Sequence, residues 1–334
     1  MSTKTELNIG DEAAEGLINE ASMLRPEQYL RDASTDAIII FSNGIGDLNP
    51  LYRDQEYCRW TRFGGLIAHP CFPWTHHWPG RSYWGLPGVH GFGVTIDCEY
   101  FRNVRPGDRI NIWNRVLGIE EKPSKFSGKM AMQYLESTYT NQRDEVVCRA
   151  LGLTARHERK ASRDKNKYKD VKTYVYTEEE LRRIDEMVMT EPDRIRGANT
   201  RYWDDVKVGD TIDEIARGPL SMSDTMAFVI ASGRGAAHGA LLKHAARHPK
   251  HYIKRIRMEA RRFNLQGDTT FINGKVVKKY IKDKCPLIDI EMTGINQSGT
   301  LTSPGFATVM LPAKDINTKI PLDGTVCELD LPPI

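Results

Sequence analysis

Stretches in which apolar and polar residues alternate occur twice along the chain, each time hinged at a polar turn. In the first half RNVRPGDRINIW (102–113) precedes MQYLESTYTNQRDEVVCRALGLTA (132–155). In the second, RRFNLQGDTTFING (261–274) precedes LIDIEMTGINQSGTLTSPGFATVML (287–311). Both copies are rich in Val, Ile, Thr and Tyr with period-two alternation, as half-buried antiparallel strands require. Gly107-Asp108 aligns with Gly267-Asp268 at an offset of 160, and Asn141-Gln142 with Asn296-Gln297 at an offset of 155. The chain therefore reads as a diverged internal repeat, with a meander of long strands present twice.

Each meander is preceded by a matching apolar element, STDAIIIFSNGIGD (34–47) and SMSDTMAFVIASGR (221–234). Asp36 and Asp224, at an offset of 188, are each placed to cap a short helix by accepting from free first-turn amides. The drop in offset from 188 to 160 means that the second copy lacks 28 residues between its helix and its meander. The first copy carries GGLIAHP, THHWPGRSYWG and GFGVTIDCEYF there. Between the copies, RHERKASRDKNKYKDVK (156–172) is charged and aperiodic, a linker or an exposed connection. TEEELRRIDEMVM (177–189) then predicts a helix with Thr177 as cap and Glu180 at capping-box spacing. RYWDDVKVGDTIDEI (201–215) opens the second copy as a strand and turn. The expected divisions are residues 1–157, a connecting region 158–200, and an abbreviated second copy at 201–334.

Composition narrows the function classes. A length of 334 residues suits two domains with their own cores. The net charge of +3, from 47 basic and 44 acidic residues, supplies no field for nucleic acid or an anionic membrane. Six scattered cysteines without a C-x-x-C pair argue against both a disulfide framework and a zinc ribbon. With no apolar run of membrane-spanning length and no signal architecture at the N-terminus, a cytoplasmic location is expected.

The chemistry concentrates in GIGDLNPLYRD (44–54) and GGLIAHP (64–70). A Gly-Asp-x-Asn-Pro turn holds two short polar side chains still, and a glycine-led apolar turn then brings a histidine. The segment resembles the signature of MaoC-like (R)-specific enoyl-CoA hydratases and dehydratases, Phe-Ala-x-x-Ser-Gly-Asp-x-Asn-Pro-hydrophobic-His followed by Ile-Ala-His-Gly. Phe41, Gly46, Asp47, Asn49, Pro50 and Leu51 fit, whereas Tyr52 stands at the family's catalytic histidine and Pro70 at the glycine after His69.

The resemblance implies an α+β double hotdog, two long helices each wrapped by an antiparallel sheet, with the C-terminal copy abbreviated. It also implies water addition to a 2-enoyl-CoA, or the reverse, without a separate cofactor. Asp47 would then act as base with Asn49, Tyr52 and His69 assisting, and amides near Gly65 and Cys71 would hold the enolate oxygen. Because Tyr52 replaces the histidine, three arrangements stay open: Asp47 with Tyr52, Asp47 with a histidine recruited from elsewhere, His69 foremost, or a binding half without chemistry. Asp47 could equally close an Asx-turn, and His69 could be held by backbone. Trp74 is a candidate for the acyl pocket, and Arg102, Arg105 and Arg234 for coenzyme A phosphates. With the segments 34–47 and 221–234 aligned end to end, Arg234 stands at the Asp47 position. His76 and His77 are adjacent and lack partners at metal-ligand spacing, so no metal is expected. An acyl-CoA thioester is the expected partner, with association into a homodimer or larger homo-oligomer. A non-catalytic acyl-CoA-binding subunit and a hotdog thioesterase are the alternatives.

Overall fold

A computed structural model of the protein describes residues 30–76, 89–124, 128–158, 173–197, 199–232 and 252–314. The first copy starts with α1 (Thr35–Gly44) and a short α2 (Gln55–Arg59), then strands β1 (Val89–Tyr100), β2 (Asn111–Ser124), β3 (Gly128–Thr140) and β4 (Val146–Glu158). After α3 (Glu178–Met189) and β5 (Thr211–Arg217), the second copy continues with α4 (Met222–Ser232), β6 (Tyr252–Glu259), β7 (Thr270–Lys282), β8 (Cys285–Asn296) and β9 (Leu301–Met310). The long helix expected after the His69 turn falls on residues beyond His76, outside those described.

Both meanders join one antiparallel sheet, in the order β2-β3-β4-β1-β6-β9-β8-β7-β5. The repeat is reproduced in backbone detail. Irregularities at Gly93/Thr95 and Val116/Gly118 in the first copy recur at Ile253/Arg255 and Val276/Lys278 in the second, each at the offset of 160. Asn141 Oδ1 accepts from the amides of Arg143 and Glu145, and Asn296 Oδ1 from those of Ser298 and Thr300. The left-handed residue of that turn is Asp144 in one copy and Gly299 in the other. Asp tolerates this conformation better than most residues, so the same turn forms in both copies.

The helix caps differ from the expectation. Ser34, not Asp36, accepts from Ala37 N at the start of α1. In the second copy Ser221 accepts from Asp224 N, while Asp224 returns the bond by accepting from Ser221 N at 2.9 Å. A hydroxyl at the cap reaches the third amide, and an acid three residues on reaches back. Thr177 and Glu180 form the expected capping box on α3.

α1 and α4 pack directly on one another, and Gly44 sets their approach. A Cβ there would lie 2.2 Å from Ala231 Cβ and 2.8 Å from Ala227 O. One hydrophobic core runs through both copies, from Ile38 and Phe41 of α1 to Ile256 and Met258 of β6.

The seam between copies is β1 against β6, in register with Asp97 opposite Arg257. Asp97 and Arg257 are themselves related by the offset of 160, so this pair lies on the pseudo-two-fold axis of the repeat. An identical repeat would set like residues against each other there. Instead β1 supplies acids and β6 supplies bases. Arg255 Nε donates to Asp97 Oδ1 at 2.8 Å, and its Nη2 grips Oδ2. Lys254 Nζ lies 3.0 Å from Glu99 Oε1, with the two side chains 2% and 4% exposed.

Candidate active site

The turn after α1 builds the acid. Gly46 takes a left-handed φ of 64°, which a Cβ would strain, and Asp47 N donates back to Ser42 O at 2.8 Å. Asp47 Oδ1 then accepts from Asn49 N at 2.9 Å, and Asn49 Oδ1 from Leu51 N at 3.1 Å. Pro50 starts the 3₁₀ turn Pro50–Tyr52. Asn49 thus spends its side-chain carbonyl on backbone, as a cap for the turn that carries Tyr52.

Asp47 Oδ1 does close an Asx-turn, but Oδ2 faces elsewhere. His69 Nε2 lies 3.5 Å from it, with the two side chains 0% and 2% exposed. The contact is within ion-pair range and slightly longer than a good hydrogen bond. His69 Nδ1 accepts from Cys71 N at 3.0 Å. An imidazole nitrogen that accepts carries no proton, so the neutral ring keeps its proton on Nε2, facing the carboxylate. His69 is held by backbone on one side and by Asp47 on the other.

Tyr52 completes the cluster, its ring meeting His69 edge-on with centroids 5.2 Å apart. Burial, reinforced by the nearby Asp47 charge, pushes its phenol well above the usual value of 10, so it stays protonated. Phe41 covers another side of His69, with ring centroids 5.7 Å apart. Of the three arrangements open from sequence, the fold brings His69 to Asp47 and sets Tyr52 beside both.

A cavity of about 30 Å³ abuts His69 and Tyr52, enough to admit a water. Pro70, Arg102 and Asn103 border it, and Tyr252 and Ile253 reach it from the second copy. Those last two were not among the sequence candidates. The repeat held the signal, because antiparallel pairing of β1 with β6 puts the start of β6 beside the end of β1.

The other candidates divide. Cys71 N is engaged by His69 Nδ1, so the oxyanion role expected of that amide is taken by another partner. Burial also pushes the Cys71 thiol well up, leaving it an unreactive SH. Gly65 and Trp74 are not among the described residues that line the cavity. Arg102 does border it and pairs with Glu145 at 3.1 Å. Arg105 Nη1 instead donates to Phe63 O at 2.9 Å, bracing the segment that carries His69. Arg234 and His77 lie outside the described residues. No group of three or more potential metal ligands occurs among the described residues, and no described helix is long and apolar enough to cross a membrane.

Residues 31–150 match the family model described as FAS1-like, dehydratase domain region. No curated protein matches the chain. Among solved structures, a MaoC-like dehydratase is 14% identical with a TM-score of 0.63, covering 88% of this chain and 98% of that one. A MaoC domain protein dehydratase from Chloroflexus aurantiacus is 14% identical with a TM-score of 0.57, covering 87% and 96%. A conserved hypothetical protein from Mycobacterium tuberculosis, described as a double hotdog fold, is 12% identical with a TM-score of 0.54, covering 86% and 96%. These likenesses cover nearly the whole chain and give its fold, while the family match covers the copy that holds the Asp47–His69 pair. Residues 31–150 are thus similar to a FAS1-like dehydratase domain region, and the chain as a whole shares the double hotdog fold of these structures.

Proposed function

We propose that the protein hydrates a 2-enoyl thioester of coenzyme A, or dehydrates the 3-hydroxyacyl thioester, with Asp47 as base and His69 as its fixed partner. The observation that supports this most directly is the buried Asp47–His69 contact at 3.5 Å, in which His69, though not Asp47, borders a small cavity. In the forward direction a water gives a proton to Asp47 as its oxygen bonds to Cβ. The electron pair of the double bond moves onto the thioester oxygen, and Asp47 returns the proton to Cα. His69, donating from Nε2, steadies the carboxylate in both steps, and Tyr52 offers a neutral hydroxyl.

A second reading, an acyl-CoA-binding subunit without chemistry, draws on two observations: Tyr52 stands at the family's histidine position, and the Cys71 amide is committed to His69. A thioesterase would direct the same water at the carbonyl carbon and release a thiol. A panel of trans-2-enoyl-CoA substrates separates all three, followed by ultraviolet absorbance of the enoyl thioester and by thiol titration. Hydration without thiol release, reduced about 10²–10⁴-fold by Asp47→Asn in a folded variant, is the expected result. Binding without turnover, or unchanged turnover in Asp47→Asn, would remove Asp47 as the base.

A further inference from the structure

The pseudo-two-fold that relates the copies also relates two cavities. Arg102, Asn103, Tyr252 and Ile253 border the small cavity at His69. Their images at the offset of 160 are Arg262, Phe263, Phe92 and Gly93, and all four border a second cleft, of about 1020 Å³. In the first copy the segment from Leu51 to Pro73 fills this place and leaves about 30 Å³. The second copy is 28 residues shorter between its helix and its meander, and the cleft at the matching place is far larger. Phe92 and Tyr100 are eight residues apart on β1, so roughly 26 Å at about 3.3 Å per residue separates the two sites.

The walls of the cleft have a definite chemistry. Phe92 stacks edge-on with Phe263 at 5.3 Å between centroids, and His157 lies 5.8 Å from Phe92. Phe263, Leu265 and Val175 are large apolar side chains exposed to 47%, 37% and 86%, and all three border the cleft. Neighbouring exposed apolar groups around a concavity of this size are the mark of a ligand site rather than of ordinary surface. The charges at the rim are unequal. Arg261 is paired with Glu259 at 3.0 Å, and Asp268 accepts from Leu265 N and from Gln297 Nε2, each at 2.7 Å. Arg262, by contrast, has no ion pair among the described residues, and its planar fork suits a carboxylate.

We propose that this second-copy cleft is a binding site, separate from the Asp47–His69 centre, for an amphipathic monocarboxylate whose apolar body lies on Phe92 and Phe263 and whose head pairs with Arg262. The site does not depend on the reaction proposed above. Isothermal titration of the full chain with decanoate tests it, with decanol as the uncharged control. Decanoate is expected to bind one per chain and at least tenfold more tightly than decanol. Arg262→Gln should weaken it about tenfold, as loss of a charge-assisted hydrogen bond does, and Phe263→Ala should weaken it as well. Asp47→Asn should leave it unchanged. Both substituted cleft residues are exposed, so the variants should fold. Absence of binding at millimolar decanoate would overturn the proposal. So would affinity that survives both cleft substitutions, or affinity that is lost with Asp47→Asn.

Discussion

Replacing Lys254 by Met is the sharpest test of how the two copies are held together. Lys254 Nζ lies 3.0 Å from Glu99 Oε1, 3.4 Å from Tyr100 O and 4.4 Å from the centre of the Phe101 ring. At that separation an effective dielectric of about 20 gives an attraction of roughly 5–6 kcal/mol, while taking each ion out of water costs several kcal/mol. The pair is therefore near balance as a pair and costly when broken. Met fills a similar volume but leaves the Glu99 charge inside the seam, so Lys254→Met should lower unfolding free energy by about 3–5 kcal/mol. Adding Glu99→Gln removes the stranded charge, and the double variant should recover to within about 1–2 kcal/mol of the parent. Urea unfolding followed by tryptophan fluorescence reads all four corners of the cycle. A cost below about 1 kcal/mol for Lys254→Met, or a double variant as unstable as the sum of the singles, would refute the picture of a desolvated, coupled pair.

Tyr52→His recreates the spacing of the family motif. If the phenol only fills the place of a histidine, hydration of an enoyl thioester should rise, as seen in absorbance, whereas lost activity in Tyr52→Phe would give the hydroxyl its own part. Alkaline pH gives another check. Burial raises the Tyr52 and Tyr100 phenols above 10 and the Cys71 and Cys148 thiols above 9. The folded chain then holds protons that the unfolded chain releases, so stability is full below about pH 9 and falls as pH rises through that region. Each group contributes a slope of up to about 1.4 kcal/mol per pH unit. Tyr52→Phe should flatten the fall above pH 10 by one group's share, and an unchanged slope would contradict the burial of that hydroxyl.

The repeat was legible because its markers are turns, where backbone geometry restricts the residue. Gly107 and Gly267 have φ of 92° and 89°, and Asn141 and Asn296 bind the same pair of amides. The Asp47 turn was legible for the same reason. What the residues did not reveal is how side chains share partners. Nothing in GGLIAHP says that the Cys71 amide would be taken by His69, because that depends on the path of the chain after Pro70. The caps misled by two residues in α1 and three in α4, since Ser and Asp both cap and spacing alone does not choose between them. The completion of the His69 cavity by Tyr252 needed the register of β1 on β6, a long-range fact that no local pattern carries.

The outer margins of the sheet have a bearing on assembly. β2 ends in Glu120, Glu121, Lys122 and Pro123, and a proline on a margin offers no amide to an incoming strand. At the opposite margin β5 is only seven residues long. There Arg183 of α3 approaches Glu214 at 3.6 Å, and Arg194 binds the Glu214 carbonyl at 3.0 Å. Among the described residues, neither margin is well shaped to recruit a further strand. Pairing of copies through the margins of the nine described strands is thereby disfavoured relative to stacking of sheet faces or helices.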